Sequence, residues 1–186
     1  MTTMTTEVRG LPRGRALTRA DLAGMPDDGH RYELLDGVLV VSPAPRFRHQ
    51  DAVMRLAHRL FSACPPDMTV LPAPFDVVLA EDTVIQPDLL VAARSEFTER
   101  DLPGAPLLAV EVLSPSTRSI DLLLKKDRLE RAGCAHYWVV DADEPSIIVW
   151  SLADGAYRQS AHIVGDELHT FDAPFPLAFA PADLVG

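Results

Sequence analysis

Residues 107–141 contain two apolar segments separated by a helical one, and this order restricts the folds open to the chain. LLAVEVLS (107–114) has the composition of a buried strand, and HYWVVD (136–141) is a second. A helix is predicted between them, over residues 117–132, with Ser114 or Ser116 as its cap and Gly133 at its end. Strands joined by a helix normally lie parallel, through a right-handed crossover. We therefore expect an α/β sandwich with this pair at the centre of a mixed sheet.

Antiparallel hairpins are expected on either side of this unit. Asp36-Gly37 is a strong two-residue turn signal within RYELLDGVLVVSP, and Asp154-Gly155 marks a second hairpin. TVLPAPFDVVLA and TVIQPDLLVAA are predicted as two strands joined around Glu81-Asp82. Trp138 and Trp150 lie in strand-like segments, where we expect them to pack in the core.

Two helices are predicted in the first third of the chain, one before the Asp36-Gly37 hairpin and one after it. A short one begins after Thr18, which is a suitable cap. A longer one covers RFRHQDAVMRLAHRLFSAC and ends at Pro65-Pro66. Its apolar positions follow helical spacing and form one stripe for packing on a sheet, namely Val53, Leu56, Ala57, Leu60 and Phe61. The length of 186 residues favours one domain, over residues 18–186, after a flexible N-terminal tail at 1–17.

The formal net charge of −10 argues against a protein that coats nucleic acid through a wide basic surface. The basic residues are nevertheless grouped, in RGLPRGR, RFRH and the predicted helix after residue 117, so a cationic rim around one site is expected. No apolar run approaches the roughly 20 residues of a membrane span, and the N-terminus lacks the apolar core of a secretory signal. These features predict a cytoplasmic protein with no membrane contact. The two cysteines, Cys64 and Cys134, are expected to be free thiols.

Two carboxylates interrupt apolar strands. Asp88 opens LLVAA, and Glu111 lies inside LLAVEVLS. If these strands are neighbours, both side chains can reach one point, where two unpaired carboxylates would repel each other. Mg²⁺ resolves this conflict, because it binds a few carboxylate oxygens and keeps several waters, one of which becomes a nucleophile. Asp88 alone has an ordinary structural explanation, as a polar residue after a strand-opening proline. A charge inside an apolar strand, such as Glu111, is rarely buried without a partner, and the pair together indicates a metal site.

A protein cation should complete such a site if the substrate is a phosphodiester, because charge accumulates on the phosphoryl oxygens. Lys125 is the preferred candidate and Lys126, about 100° away around the helix, is the second. Glu33 is a further carboxylate if its strand borders the other two. The residues leave alternatives open. Lys125 can pair with Asp121 on a solvated face, and Glu33 can face outward beside Arg31.

The ordered series RYELLDGVLVVSPAP, His49 at a helix start, QPDLLV, EVLSPSTRSIDLLLK and AGCAHYWVVD resembles a known family. The family is described as "putative restriction endonucleases" and belongs to the PD-(D/E)xK nuclease superfamily. The resemblance covers roughly residues 30–142. It implies a restriction-endonuclease-like core, phosphodiester hydrolysis with Mg²⁺, for which Mn²⁺ can substitute, and an active-site set. By matching position, that set is Glu33, Asp88, Glu111 and Lys125, with Asp88 and Glu111 as metal ligands.

The chain departs from these patterns at two positions. The superfamily's usual lysine would stand at 113, where this chain has Leu113, although in the resembled family the lysine is displaced to the next helix, as at Lys125. That family usually has a tyrosine where this chain has Leu129. For His49, a hydrogen bond to a nearby loop is expected rather than a role at the site.

The leading hypothesis is a Mg²⁺-dependent DNA endonuclease. Because cutting both strands of a duplex takes two active sites, a homodimer is expected. Two alternatives stay open. The first is a binding or assembly module that keeps the fold without a working site, and the second is a metal-dependent hydrolase of small phosphoesters.

Overall fold

The computed structural model describes residues 11–12, 14–115 and 117–186. Within these residues the strands form three sheets. Their bounds are β1 (Arg31–Leu35), β2 (Val38–Ser42), β3 (Met68–Pro72), β4 (Asp76–Ala80), β5 (Thr83–Ile85), β6 (Leu89–Ala93), β7 (Asp101–Pro103), β8 (Leu108–Val112), β9 (His136–Asp141), β10 (Ser146–Ala153), β11 (Ala156–Val164), β12 (His169–Phe171) and β13 (Leu177–Phe179). The helices are α1 (Arg19–Leu22), α2 (Phe47–Ala63) and α3 (Lys126–Ala132), with a π-helical segment (Ile120–Lys125) before α3 and short 3₁₀ turns at Arg94–Glu96 and Pro181–Leu184.

The largest sheet is mixed and has the order β11-β10-β9-β8-β6-β3. Its central pair, β8 and β9, is parallel, as the strand-helix-strand series predicts, and the other neighbours are antiparallel. A second sheet has the order β2-β1-β5-β4-β7, and β12 pairs with β13. Both predicted hairpins are present, at β1–β2 and β10–β11. The expected mixed α/β architecture, with helices flanking the sheets, is confirmed.

The prediction of two long strands between residues 69 and 93 is wrong. The structure divides this segment into four strands, of which β3 and β6 pair in the large sheet and β4 and β5 pair in the second sheet. Pro72, Pro74 and Pro87 lie at or between the breaks, where a missing N–H donor interrupts a ladder. The chain therefore passes from one sheet to the other and returns just before Asp88.

The helix α2 packs on the large sheet, but its buried stripe departs from the prediction, because it includes Ala52 and leaves out Phe61. Ala52, Val53, Leu56 and Leu60 are buried, whereas Phe61 is 72% exposed. Phe61 lies eight residues after Val53, about 80° further around the helix, which is enough to turn it away from the sheet. No helix in the described part of the chain has the length and apolar character needed to cross a membrane.

The predicted helix after β8 is present and ends at Gly133, which has a positive φ of 85°. Its first part is wider than expected, because Ile120–Lys125 is π-helical. Ser114 accepts the backbone N–H of Arg118 at its carbonyl oxygen, 3.0 Å away. Ser116, the other proposed cap, lies outside the described residues, as does most of the predicted tail. At the end of that tail Leu17 is buried, and its N–H donates to Gly37.

The two faces of the large sheet cover different cores. One face packs against α2 and the C-terminal segment, around Trp138 and Phe171. The other face packs against the second sheet and α3, around Leu90, Tyr137 and Leu129. Trp138 is fully buried, as expected, and Trp150 is half-buried and stacks on Tyr137. Cys134 is buried, Cys64 is half-buried, and both are free thiols.

Candidate active site

Asp88 and Glu111 lie side by side at the end of the β6–β8 ladder. The strands are antiparallel and pair Leu89 with Val110, a register that brings Asp88 opposite Glu111. The N–H of Val112 donates to Asp88 Oδ2 at 2.9 Å. Residues directly opposite in a ladder project to the same face of a sheet, so both carboxylates face the second sheet and α3. Asp88 is 4% exposed and Glu111 is 1% exposed.

Lys125 lies among three carboxylates, those of Glu33, Glu111 and Asp121, and is almost fully enclosed. Its Nζ is 2.9 Å from both Glu111 Oε1 and Glu33 Oε1, and 3.7 Å from Asp121 Oδ1. Its side chain is only 2% exposed, so the alternative of a solvated ion pair with Asp121 is wrong. The π-helical segment carries Asp121 and Lys125 on one buried face, and π-helical turns are frequent at functional sites.

Glu33 reaches this cluster from the other sheet. Its strand β1 pairs with β2 and β5 rather than with β6 or β8, so it does not border the other two strands. Glu33 instead faces them across the interior, and Gln86 N–H donates to its Oε1 at 2.7 Å. At 1% exposure it is not the outward-facing residue that the alternative interpretation described.

Lys126, the second lysine candidate, lies away from the carboxylates. Its Nζ is 5.4 Å from the centroid of the Trp150 ring and 5.8 Å from that of Tyr157. This is the geometry of a cation–π contact. The structure therefore places the two adjacent lysines in different environments, and only Lys125 contacts Glu33 and Glu111.

Two further side chains, Arg31 and His49, hold Asp88. Arg31 Nη1 is 2.9 Å from Asp88 Oδ1, and His49 Nε2 is 3.1 Å from Asp88 Oδ2. The expectation that His49 bonds only to a nearby loop is wrong, since its partner is a candidate metal ligand. Sequence reasoning considered Arg31 only as a partner of Glu33, which is 3.8 Å away. Arg31 lies at the start of β1 and His49 near the start of α2. The sequence indicates these contacts only weakly, because no local pattern determines which carboxylate each side chain meets.

Burial and charge act together on this cluster. Burial raises the pKa of Glu111, and Lys125 opposes this effect only in part. Burial also raises the pKa of Asp121. For Asp88, burial acts in the same direction, but His49, Arg31 and the Val112 N–H together hold its pKa below the usual range. Burial would lower the pKa of Lys125, yet Glu111, Glu33 and Asp121 raise it, so the ammonium form persists. The carboxylates outnumber Arg31 and Lys125 here, an arrangement that favours added positive charge.

A cleft of about 1190 Å³ opens over this cluster. Arg31, His49 and Asp88 line it, while Glu33, Glu111 and Lys125 lie beneath with exposures of 1, 1 and 2%. Other arginines line the same cleft, namely Arg19, Arg46, Arg48 and Arg100. Several of them face acids, as with Arg19 and Asp101 or Arg48 and Asp143. The cleft is therefore large enough for an extended ligand and has guanidinium groups around an acidic floor.

The donors fit a divalent cation by type. Mg²⁺ is typically held by one or two carboxylates and several waters, and Asp88 and Glu111 supply two carboxylates. In the described part of the chain, no three Asp, Glu, His or Cys side chains are arranged as a ready set of ligands. In addition, Arg31 and Lys125 already contact oxygens of Asp88 and Glu111. Asp88 and Glu111 therefore fit Mg²⁺ by donor type, and Arg31 and Lys125 would compete with the metal for their oxygens.

Comparisons with known proteins agree with this architecture. The model of the Uma2 family, described as "Putative restriction endonuclease", matches residues 19–182. A crystal structure described as "a putative nuclease belonging to DUF820 from Anabaena variabilis" is similar in fold, with a TM-score of 0.72 and 18% sequence identity. The alignment covers 90% of this chain and 97% of that one. Comparison with the curated proteins gives no significant match. Because the family model spans most of the sequence, the chain belongs to the Uma2 family, with a restriction-endonuclease-like fold.

Proposed function

We propose that this protein is a Mg²⁺-dependent endonuclease that hydrolyses phosphodiester bonds of DNA. The observation that carries the proposal is the opposition of Asp88, which lines the cleft, and Glu111, which lies beneath it, with Lys125 Nζ 2.9 Å from Glu111. Family membership and fold support a nuclease. The metal requirement and the DNA substrate are our own inferences from the chemistry of the side chains.

Asp88 and Glu111 would hold Mg²⁺, and Mn²⁺ would substitute for it. When bound, the metal activates water and neutralises charge on the phosphoryl group. His49 and the Val112 N–H keep Asp88 in place. Lys125 fixes the carboxylates of Glu33 and Glu111, and we assign it the stabilisation of the attacking water or of the developing phosphoryl charge. Glu33 orients water or a second ion.

The arginines of the cleft are suited to phosphate contacts, because a guanidinium group binds phosphate oxygens through two parallel hydrogen bonds. With a net charge of −10, DNA binding would be confined to this cleft. We further propose that the protein acts as a homodimer, since the described part of each copy has one such cluster and a duplex has two strands to cut.

A cleavage assay tests the proposed function. Plasmid and single-stranded DNA are incubated with the protein and either Mg²⁺ or Mn²⁺, and titration calorimetry measures Mn²⁺ binding in parallel. The wild type should cleave DNA and bind Mn²⁺ saturably. Asp88→Asn and Glu111→Gln should each lower cleavage by about 100-fold or more, the range that loss of a positioned catalytic group gives.

Glu167→Gln is a matched control, because Glu167 is exposed and lies outside the cleft. It should retain full cleavage and Mn²⁺ affinity. Activity that survives the double change Asp88→Asn/Glu111→Gln would refute the assignment. Absence of Mn²⁺ binding in the wild type would favour a binding or assembly module. Turnover of model phosphodiesters without cleavage of DNA would identify a hydrolase of small phosphoesters.

A further inference from the structure

Arg31 differs from Lys125 in how firmly it is held, although both neutralise the carboxylate cluster. The side chain of Arg31 is 22% exposed and lines the cleft, whereas that of Lys125 is 2% exposed. Arg31 Nη1 contacts Asp88 Oδ1 at 2.9 Å and the backbone oxygen of Gln86 at 3.3 Å. Three carboxylates surround Lys125, and it has no open side toward which to move. Arg31 therefore has a route into the cleft.

Arg31 contacts Asp88 Oδ1, the carboxylate oxygen at which we expect an incoming metal ion to bind. Asp88 Oδ2 already accepts the Val112 N–H at 2.9 Å and lies 3.1 Å from His49 Nε2. Because Oδ2 already has these two contacts, a metal ion would bind at Asp88 Oδ1, which Arg31 now contacts. A dication at this oxygen would lie beside a guanidinium group, and like charges at such short range repel strongly. Binding of a metal at Asp88 and continued contact with Arg31 therefore oppose each other.

We propose that Arg31 is a displaceable counter-ion. It neutralises Asp88 when no metal is bound, and it turns into the cleft when Mg²⁺ binds, where its guanidinium group contacts a phosphate of the nucleic acid. This inference rests on the proposed function and adds a coupling between metal and substrate. Arginine suits both positions, because its planar fork of donors pairs with a carboxylate and with a phosphate.

Arg31→Met tests the displacement, since methionine keeps most of the aliphatic length and removes the charge. Titration calorimetry with Mn²⁺ alone should show tighter binding than in the wild type, by roughly fivefold or more, the lower end of typical coupling between sites. If Arg31 only supported the structure of Asp88, its loss would weaken Mn²⁺ binding instead. The sign of the change therefore separates the two roles. Unchanged or weaker binding in a folded variant overturns the proposal.

The second half of the proposal concerns the phosphate contact. Binding of a phosphorothioate oligonucleotide, which resists hydrolysis, is measured by fluorescence anisotropy with and without Mn²⁺ across a range of salt concentrations. Mn²⁺ should increase affinity more in the wild type than in Arg31→Met. With Mn²⁺ present, the slope of log affinity against log salt should fall by about 1 in the variant. Equal slopes overturn the phosphate contact.

Arg158→Met is the matched control. Arg158 is exposed and lies outside the cleft, so its change should leave both the Mn²⁺ affinity and the salt slope unaltered. Arg31→Gln is a second variant with the same expected sign, for use if Arg31→Met does not fold. Failure of the wild type to bind Mn²⁺ would defeat the proposed function itself. Saturable binding in the wild type with no gain in either Arg31 variant would defeat only this inference.

Discussion

At the scale of single residues, the chain places an ammonium group where burial alone would forbid it. Lys125 is 2% exposed, and charged side chains are almost never buried this fully unless they are paired. Glu33 and Glu111 provide that pairing at 2.9 Å each. Removing one partner of such a pair leaves a buried charge without compensation, which costs much more than the pair itself contributes.

Lys125→Met should therefore lower the free energy of unfolding by about 3–5 kcal/mol, as for other broken buried pairs. The adjacent change Lys126→Met removes a cation–π contact with Trp150 and should cost no more than about 1 kcal/mol. Urea denaturation followed by circular dichroism measures both. DNA cleavage should be lost in Lys125→Met and retained in Lys126→Met. Similar losses of stability in the two variants would contradict the structure's distinction between the lysines.

At the scale of elements, two hairpin turns have the same sequence and different surroundings. Asp36-Gly37 and Asp154-Gly155 both adopt positive φ, with values of 46° and 77° in the first turn and 54° and 79° in the second. These conformations suit the two-residue turn that the Asp-Gly pair predicts. A Cβ on Gly37 would lie 2.5 Å from Ala16 Cβ, whereas a Cβ on Gly155 would meet nothing within 4 Å. The first turn thus has a tertiary constraint that the second lacks.

The two glycines make a matched pair for measurement. Gly155→Ala should lower the free energy of unfolding by about 1–2 kcal/mol through left-handed backbone strain alone. Gly37→Ala should cost more, because the new methyl group also collides with Ala16. The double change Gly37→Ala/Ala16→Gly should recover part of the difference. Equal losses in the two single variants, measured by urea denaturation, would show that the contact with Ala16 has no energetic effect.

At the scale of the whole molecule, α2 packs one side on the large sheet and leaves an apolar stripe exposed on another side. Phe47, Met54 and Phe61 are 85, 63 and 72% exposed, and their spacing of seven residues keeps them on one side of the helix. The stripe is symmetric about Met54, so a twofold axis there would pair Phe47 of each copy with Phe61 of the other. Met54 also lines the cleft, which would bring two clefts close together. We therefore expect a second copy of this chain to cover this stripe.

Met54→Asp should convert the proposed homodimer to a monomer, because it places a charge at the centre of the apolar contact. Light scattering after size-exclusion chromatography gives the mass of each species. Leu168→Asp is the control, since Leu168 is 72% exposed and lies outside the stripe. A wild type that remains monomeric at working concentrations would remove the homodimer from the proposal.

Features that depend on neighbouring residues along the chain could be predicted from the amino-acid pattern. These are the strand-helix-strand centre, the Asp-Gly turns, the end of α3 at Gly133 and the two carboxylates that interrupt apolar strands. Tertiary packing decided which sheet Glu33 comes from, that Lys125 is enclosed rather than solvated, and that Arg31 and His49 both hold Asp88. Hydrophobic period and turn chemistry act over a few residues, and the sequence shows them directly. The contacts between side chains 39 and 57 residues apart follow from how the two sheets and α2 pack, which no local pattern records.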